Sequence, residues 1–137
     1  MKTASVDANV ILRLLTNDPV DQAERAQALF AMVDRGEFQL YLPEIVIAEV
    51  VWVLRSFYGY PAEEIATLLL DFLSHDGLIC RDRPTTLKAL SLFAEKNIDF
   101  ADALVAVKMI DQGIEDIYSF DQHFDRLANI IRRMPGE

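Results

Sequence analysis

Cysteine is almost absent from this sequence. Cys80 is the only one among 137 residues, which excludes an internal disulfide and a multi-cysteine zinc site and makes a reducing interior the default. Basic residues are scarce as well, 13 Lys plus Arg against 22 Asp plus Glu, for a formal charge of −9. That balance disfavours a protein that holds nucleic acid by bulk positive charge. It leaves open a nuclease whose positive charge is supplied by bound metal. No apolar run is long enough to cross a membrane, and the densest, Ile45 to Leu54, is interrupted by Glu49. The N-terminus reaches its first acid, Asp7, with no hydrophobic stretch before it. No signal peptide is therefore expected, and a soluble cytoplasmic protein is. Gly and Pro number 5 each and are scattered, so no linker or repeat stands out and one domain over residues 1–137 is expected.

What is present is a globular balance, 52% hydrophobic and 26% charged, arranged as short β-like runs between longer helical patterns. Thr3 to Val6 reads as a strand, and Val10 to Leu15 as a short helix. Asp18-Pro19 reads as a helix start, with Asp18 as cap and Pro19 in the first position. Ala23, Ala26, Phe30 and Val33 then keep one apolar face, and Gly36 ends the element. Phe38 to Leu42 is a second strand, halted by Pro43. Glu44 to Ser56 is almost wholly apolar and too long for a strand, which predicts a buried helix.

Pro61 opens a helix carrying Ile65, Leu68, Leu69 and Phe72. Leu78 to Cys80 is a short strand. Thr85 to Lys96 is a helix with Leu87, Leu90, Phe93 and Ala94 as its stripe, and Asp99 to Gln112 is another, stopped by Gly113. Asp116 to Phe120 and Ala128 to Ile131 are brief closing strands. Strands alternating with helices predict an α/β fold with a central parallel β-sheet flanked by α-helices.

In such folds ligands collect beyond the carboxyl ends of the strands, where Asp7 and Asp121 stand. Each has a plain alternative, as a helix cap or a turn residue. Glu49 has Ile45, Val46, Trp52 and Val53 as helical neighbours, so substantial burial is expected, and with it a need for a cation or a proton. A salt bridge to Arg13 or Arg55 would serve equally. Asp102 sits on an apolar helix with Asp99 one turn earlier, an arrangement that also suits ordinary helix capping. If Asp7, Glu49, Asp102 and Asp121 converge, like charges frustrate the empty pocket. Oxygen-only ligation then points to Mg²⁺ or Mn²⁺ rather than zinc. His75 and His123 are far apart and form no zinc motif.

These residues resemble a PIN domain, and more narrowly a VapC-type ribonuclease toxin of bacterial toxin–antitoxin pairs. The likeness covers essentially the whole chain. It rests on Val6-Asp7-Ala8-Asn9-Val10, Pro43-Glu44-Ile45-Val46-Ile47-Ala48-Glu49, Asp99-Phe100-Ala101-Asp102-Ala103-Leu104-Val105-Ala106 and Ser119-Phe120-Asp121-Gln122-His123-Phe124. The resemblance implies that Asp7, Glu49, Asp102 and Asp121 form a catalytic metal site, with Asn9 and Ser119 as supporting polar groups and Asp99 as an additional acid. Ala8 replaces the hydroxyl residue usual between Asp7 and Asn9, which removes one possible hydrogen bond and no ligand. It also implies a homodimer and a small antitoxin partner.

The expected reaction is metal-dependent endonucleolytic cleavage of RNA, leaving 5′-phosphate and 3′-hydroxyl ends. Arg13, Arg55, Lys108, Arg132 and Arg133 are candidate RNA contacts, each with a solvated surface as the alternative. A housekeeping RNA-processing nuclease and a non-catalytic binding module remain open. A receiver domain would need adjacent acids after the first strand and a late lysine. A haloacid-dehalogenase-like phosphatase would need an acid where Asn9 stands.

Overall fold

Three parallel strands and four helices make up the first part of the chain in a computed structural model that describes residues 2–137. The chain divides into two compact units, one ending at Arg83 and one running from Pro84 to Glu137. The first contains β1 (Thr3–Ser5), α1 (Ala8–Thr16), α2 (Val20–Asp34), β2 (Gln39–Tyr41), α3 (Glu44–Ser56), α4 (Ala62–Phe72) and β3 (Leu78–Ile79). The strands pair in parallel in the order β1-β2-β3, with Ala4 opposite Leu40 and Leu40 opposite Leu78. Parallel pairing requires each connection to cross back over the sheet, and the helices make those crossings.

The apolar periodicity of α2 translates directly into packing: Ala23, Ala26, Phe30 and Val33 are all buried, and Phe30 meets Phe72 of α4 edge to face with centroids 5.4 Å apart. Gly36, at φ 78°, follows the helix in the left-handed conformation that favours glycine. The start of α2 differs from expectation. Pro19 occupies the N-cap position without a side-chain cap, after a cis Asp18-Pro19 bond. Asp18 instead accepts a hydrogen bond from the Tyr58 hydroxyl at 3.1 Å. A cap needs the acid directly before the first helical turn, and here proline intervenes.

Helix α3 has the bounds the sequence predicts but not the uniform burial. Ile47, Val50, Val51 and Leu54 are buried, whereas Ile45 and Trp52 are 78% and 63% exposed. Apolar composition on every side gives no periodic signal to tell the covered face from the open one.

The second unit holds α5 (Arg83–Lys96, its first residue in the first unit), α6 (Phe100–Asp111), β4 (Asp116–Tyr118), a single 3₁₀ turn (Gln122–Arg126) and β5 (Ile131–Arg133). β4 and β5 pair in parallel, Ile117 opposite Arg132. The closing strand begins at Ile131 and not at Ala128. The buried face of α5 is Thr86, Ala89, Leu90 and Phe93, with Leu87 and Ala94 only half-buried. Leu90 and Phe93 are thus buried as expected, and Thr86 and Ala89 complete the face in place of Leu87 and Ala94. Phe93 packs edge to face on Phe100 of α6, and Gly113 ends α6 at φ 74°. Among the described residues no helix is long and apolar enough to cross a membrane.

Candidate metal and RNA site

Asp7 owes its place to the end of β1. The Val6 amide, bonded to the Tyr41 carbonyl, carries the strand pairing one residue past Ser5. Asp7 then stays extended as the N-cap of α1, and its carboxylate accepts from the Ala8 N–H at 2.7 Å. The plain alternative of a helix cap is therefore realised. It does not exhaust the side chain, because an ionised carboxylate offers about four lone-pair sites on two oxygens. Asn9 lies in the first turn of α1 and lines a cleft between α1 and α2.

Glu49 corrects an expectation. It is exposed, on the open stripe of α3 with Ile45 one turn before it and Trp52 one turn after. An exposed carboxylate carries no burial penalty, so the demand for a neutralising partner drawn from its apolar neighbours falls away. Among the described residues no salt bridge reaches it: Arg13 is held by Gln22 and Arg55 donates to the Tyr60 carbonyl.

The second unit gathers acids from two separate stretches. Asp99 takes the N-cap position of α6, but its side chain makes no capping bond, so its carboxylate is not engaged with the helix. Asp102, in the first turn, is half-buried. Burial, and then the negative charges of Asp99 and Asp121, push the Asp102 carboxyl above the ordinary carboxylate value, while His123 draws it partly back.

Asp121 is presented by two consecutive turns. The Ser119 hydroxyl accepts from the Asp121 N–H at 2.9 Å, and the Asp121 carboxylate accepts from the His123 N–H at 2.8 Å. Ser119 thus holds the backbone of Asp121, not its carboxylate. The exposed ring of His123 places Nδ1 3.4 Å from the same carboxylate.

The guanidinium groups of this unit serve other acids. Arg132 donates to both oxygens of Asp125, at 3.0 and 3.2 Å, and to the Ser119 carbonyl, while Arg133 pairs with Asp116. Those two candidate RNA contacts are therefore occupied. Among the described residues of this unit, no arginine pairs with Asp99, Asp102 or Asp121. Nor do three or more His, Cys, Asp or Glu side chains within either unit stand close enough together to enclose a metal ion. The donor chemistry nevertheless fits a hard divalent cation: the side chains are carboxylates, and Asp102 is destabilised in its charged form by burial and then by Asp99 and Asp121.

Comparison with known proteins places the chain in a family. The PIN domain family model matches residues 4–130, and so spans both units. The chain belongs to the PIN domain family. It is 26% identical over 123 residues to a protein named VapC ribonuclease from Aquifex aeolicus (strain VF5), covering 90% of each chain. A solved structure titled as VapBC2 from Rickettsia felis bound to a promoter DNA fragment aligns over 97% of this PIN domain protein and 98% of its own chain. The identity there is 19% and the TM-score 0.41.

His123, two residues past Asp121, is exposed as the sequence suggests. Sequence reasoning missed the pair Gln22 and Arg25, which line the α1–α2 cleft with Asn9 and Arg13. Their spacings, three and four residues, are the helical signal that finds them.

Proposed function

We propose that this chain acts as one PIN domain, a Mg²⁺- or Mn²⁺-dependent endoribonuclease and the toxin of a VapBC-like pair. Asp7, Glu49, Asp102 and Asp121 are its metal-binding acids in this reading, Asp99 adds to them, and Asn9 and Ser119 support them. The observation that carries it is the state of Asp102, a carboxyl raised first by its partial burial and then by the charges of two acids from different stretches of chain. A structural acid is normally paired or solvated; one pressed by its neighbours marks a place where a cation belongs. Membership of the PIN domain family and likeness to a VapC ribonuclease support nuclease chemistry over a binding module.

When bound, the divalent ion supplies positive charge at the scissile phosphate and acidity to water. The chain's own residues prepare for it. Ser119 and the His123 N–H fix Asp121 through its two turns, and the end of β1 fixes Asp7 at the head of α1. Asp99, free of capping, keeps its oxygens for the ion. RNA as substrate, a small antitoxin that silences the activity, a homodimer and a cytoplasmic location complete the proposal. Cleavage of RNA should require Mg²⁺ or Mn²⁺, stop in EDTA and fail in Asp102→Asn. Cleavage undiminished by EDTA would overturn it. Expression alone should arrest growth, and a co-expressed small protein from the adjoining reading frame should relieve the arrest.

A further inference from the structure

The cleft between α1 and α2 holds none of the acids just described. Asn9 and Arg13 line it from α1, Gln22 and Arg25 from α2, over aliphatic surface that includes Val10 and Leu29, and its volume is about 380 Å³. Asn9 and Arg13 are four residues apart, one above the other on a single face and about 6 Å apart along the helix axis. Gln22 accepts from Arg13 Nε at 2.8 Å. That bond fixes the guanidinium across the two helices and leaves its terminal nitrogens directed to other uses. Arg25 is exposed, and no ion pair to it is found among the described residues. In a chain with a net charge of −9, no acid is among the described residues that line the cleft beside these two cations, and Asp21 stands one turn before Arg25 on α2. The cleft begins in the first turn of α1, directly after the cap residue Asp7.

We propose that this cleft is a subsite for single-stranded RNA beside the bond to be cut. Arg13 and Arg25 take successive backbone phosphates there, and Asn9 hydrogen-bonds a ribose or base. The inference rests on the ribonuclease reading and adds where the strand runs. The planar fork of arginine matches phosphate oxygens in pairs, and a guanidinium already held by Gln22 has less freedom to lose on binding. Val10 and Leu29 offer the flat apolar contact that a base or sugar face uses without sequence preference. An acidic peptide segment would share the charge complementarity. The RNA strand is favoured because Asn9, which lines the cleft, follows Asp7 by two residues, and the proposed reaction brings RNA to Asp7.

The test uses the full chain and a fluorescein-labelled single-stranded RNA, in EDTA so that nothing is cut. Anisotropy is followed through a salt series for the parent protein, Arg25→Gln, Arg13→Gln and the double variant. Each substitution should weaken binding about tenfold. Each should also lower the slope of log affinity against log salt by about 0.7. In Mg²⁺, KM should rise while kcat holds. Arg25 is exposed, so Arg25→Gln carries the test even if Arg13→Gln unfolds. Parental affinity and slope in a folded Arg25→Gln protein would overturn the subsite, as would loss of binding to an acidic peptide with RNA binding intact. Failure of the two ideas is distinguishable. Normal cleavage with unaltered KM in both variants removes the subsite and leaves the nuclease. Arginine-dependent RNA binding by a parent protein that cleaves nothing removes the nuclease and keeps the cleft as an RNA site.

Discussion

Asp7 in the first unit gives one carboxylate oxygen to the Ala8 N–H, and Glu49 stands exposed between Ile45 and Trp52. In the second unit Asp102 is half-buried and pressed by Asp99 and Asp121, with no capping bond to occupy Asp99. The acids assigned to one metal site thus sit in different local circumstances. Those of the first unit are comfortable without a cation, by capping or by hydration. In the second unit Asp121 is likewise engaged by the His123 N–H, and Asp102 is the acid set apart, held above its ordinary value by burial and then by its acidic neighbours. The difference teaches that burial and crowding mark which carboxylate would need a cation most, and that a cap residue or an exposed helix residue carries no such mark.

The sharpest way to break this comparison is to remove the charges one at a time. If all of the acids serve one metal, Asp7→Asn, Glu49→Gln and Asp102→Asn should each lower RNA cleavage by about a hundredfold or more, beyond the usual effect of a merely supporting residue. A first-unit variant that keeps full activity would separate the two groups and confine the chemistry to the second unit. The measurement is single-turnover cleavage in saturating Mg²⁺, with folding checked by circular dichroism.

Much of this contrast was legible in the residues and part was not. The element order, the α3 bounds and the α2 face follow from periodicity and punctuation, because Pro43, Gly36 and Gly113 act locally. The acids proposed for the site are picked out by short motifs in the right order, and among the described residues three of them do not gather closely within either unit. Burial of Glu49 was misjudged because it depends on which side of an apolar helix other elements cover, a tertiary fact with no local signature. Leu90 and Phe93 of the α5 stripe are buried as expected, while Leu87 and Ala94 are only half-buried and Thr86 and Ala89, with weak hydrophobic signals, are fully buried. Asp99 kept the position of a cap and lost the bond, which depends on side-chain rotamer and not on spacing.

A smaller effect separates the structural from the chemical role of Asp7. Asparagine is as good an N-cap as aspartate and alanine is a poor one. Asp7→Asn should therefore leave stability nearly unchanged, while Asp7→Ala should cost about 1 kcal/mol in urea unfolding of the metal-free protein. Both should lose cleavage. Equal stability of the two variants would show that the 2.7 Å contact to Ala8 contributes nothing to the helix.

The smallest effect has the opposite sign and belongs to Asp102. Its carboxyl is held above the ordinary value in the folded chain, so the native state binds more protons than the unfolded one between those two values. Stability of the metal-free protein then falls as pH rises through that window, and the penalty is complete once the pH exceeds the raised value. Asp102→Asn removes the penalty. It should be more stable than the parent at neutral pH, by less than the cap effect because the group is only half-buried and partly screened. The advantage should vanish as the pH drops below the ordinary carboxylate range. Mg²⁺ should raise the melting temperature of the parent more than that of the variant, since only the parent has that repulsion to relieve. A parent and variant with parallel stability curves from acid to neutral pH would mean that neither burial nor the charges of Asp99 and Asp121 raise the Asp102 carboxyl. The electrostatic distinction between the two units would then be lost.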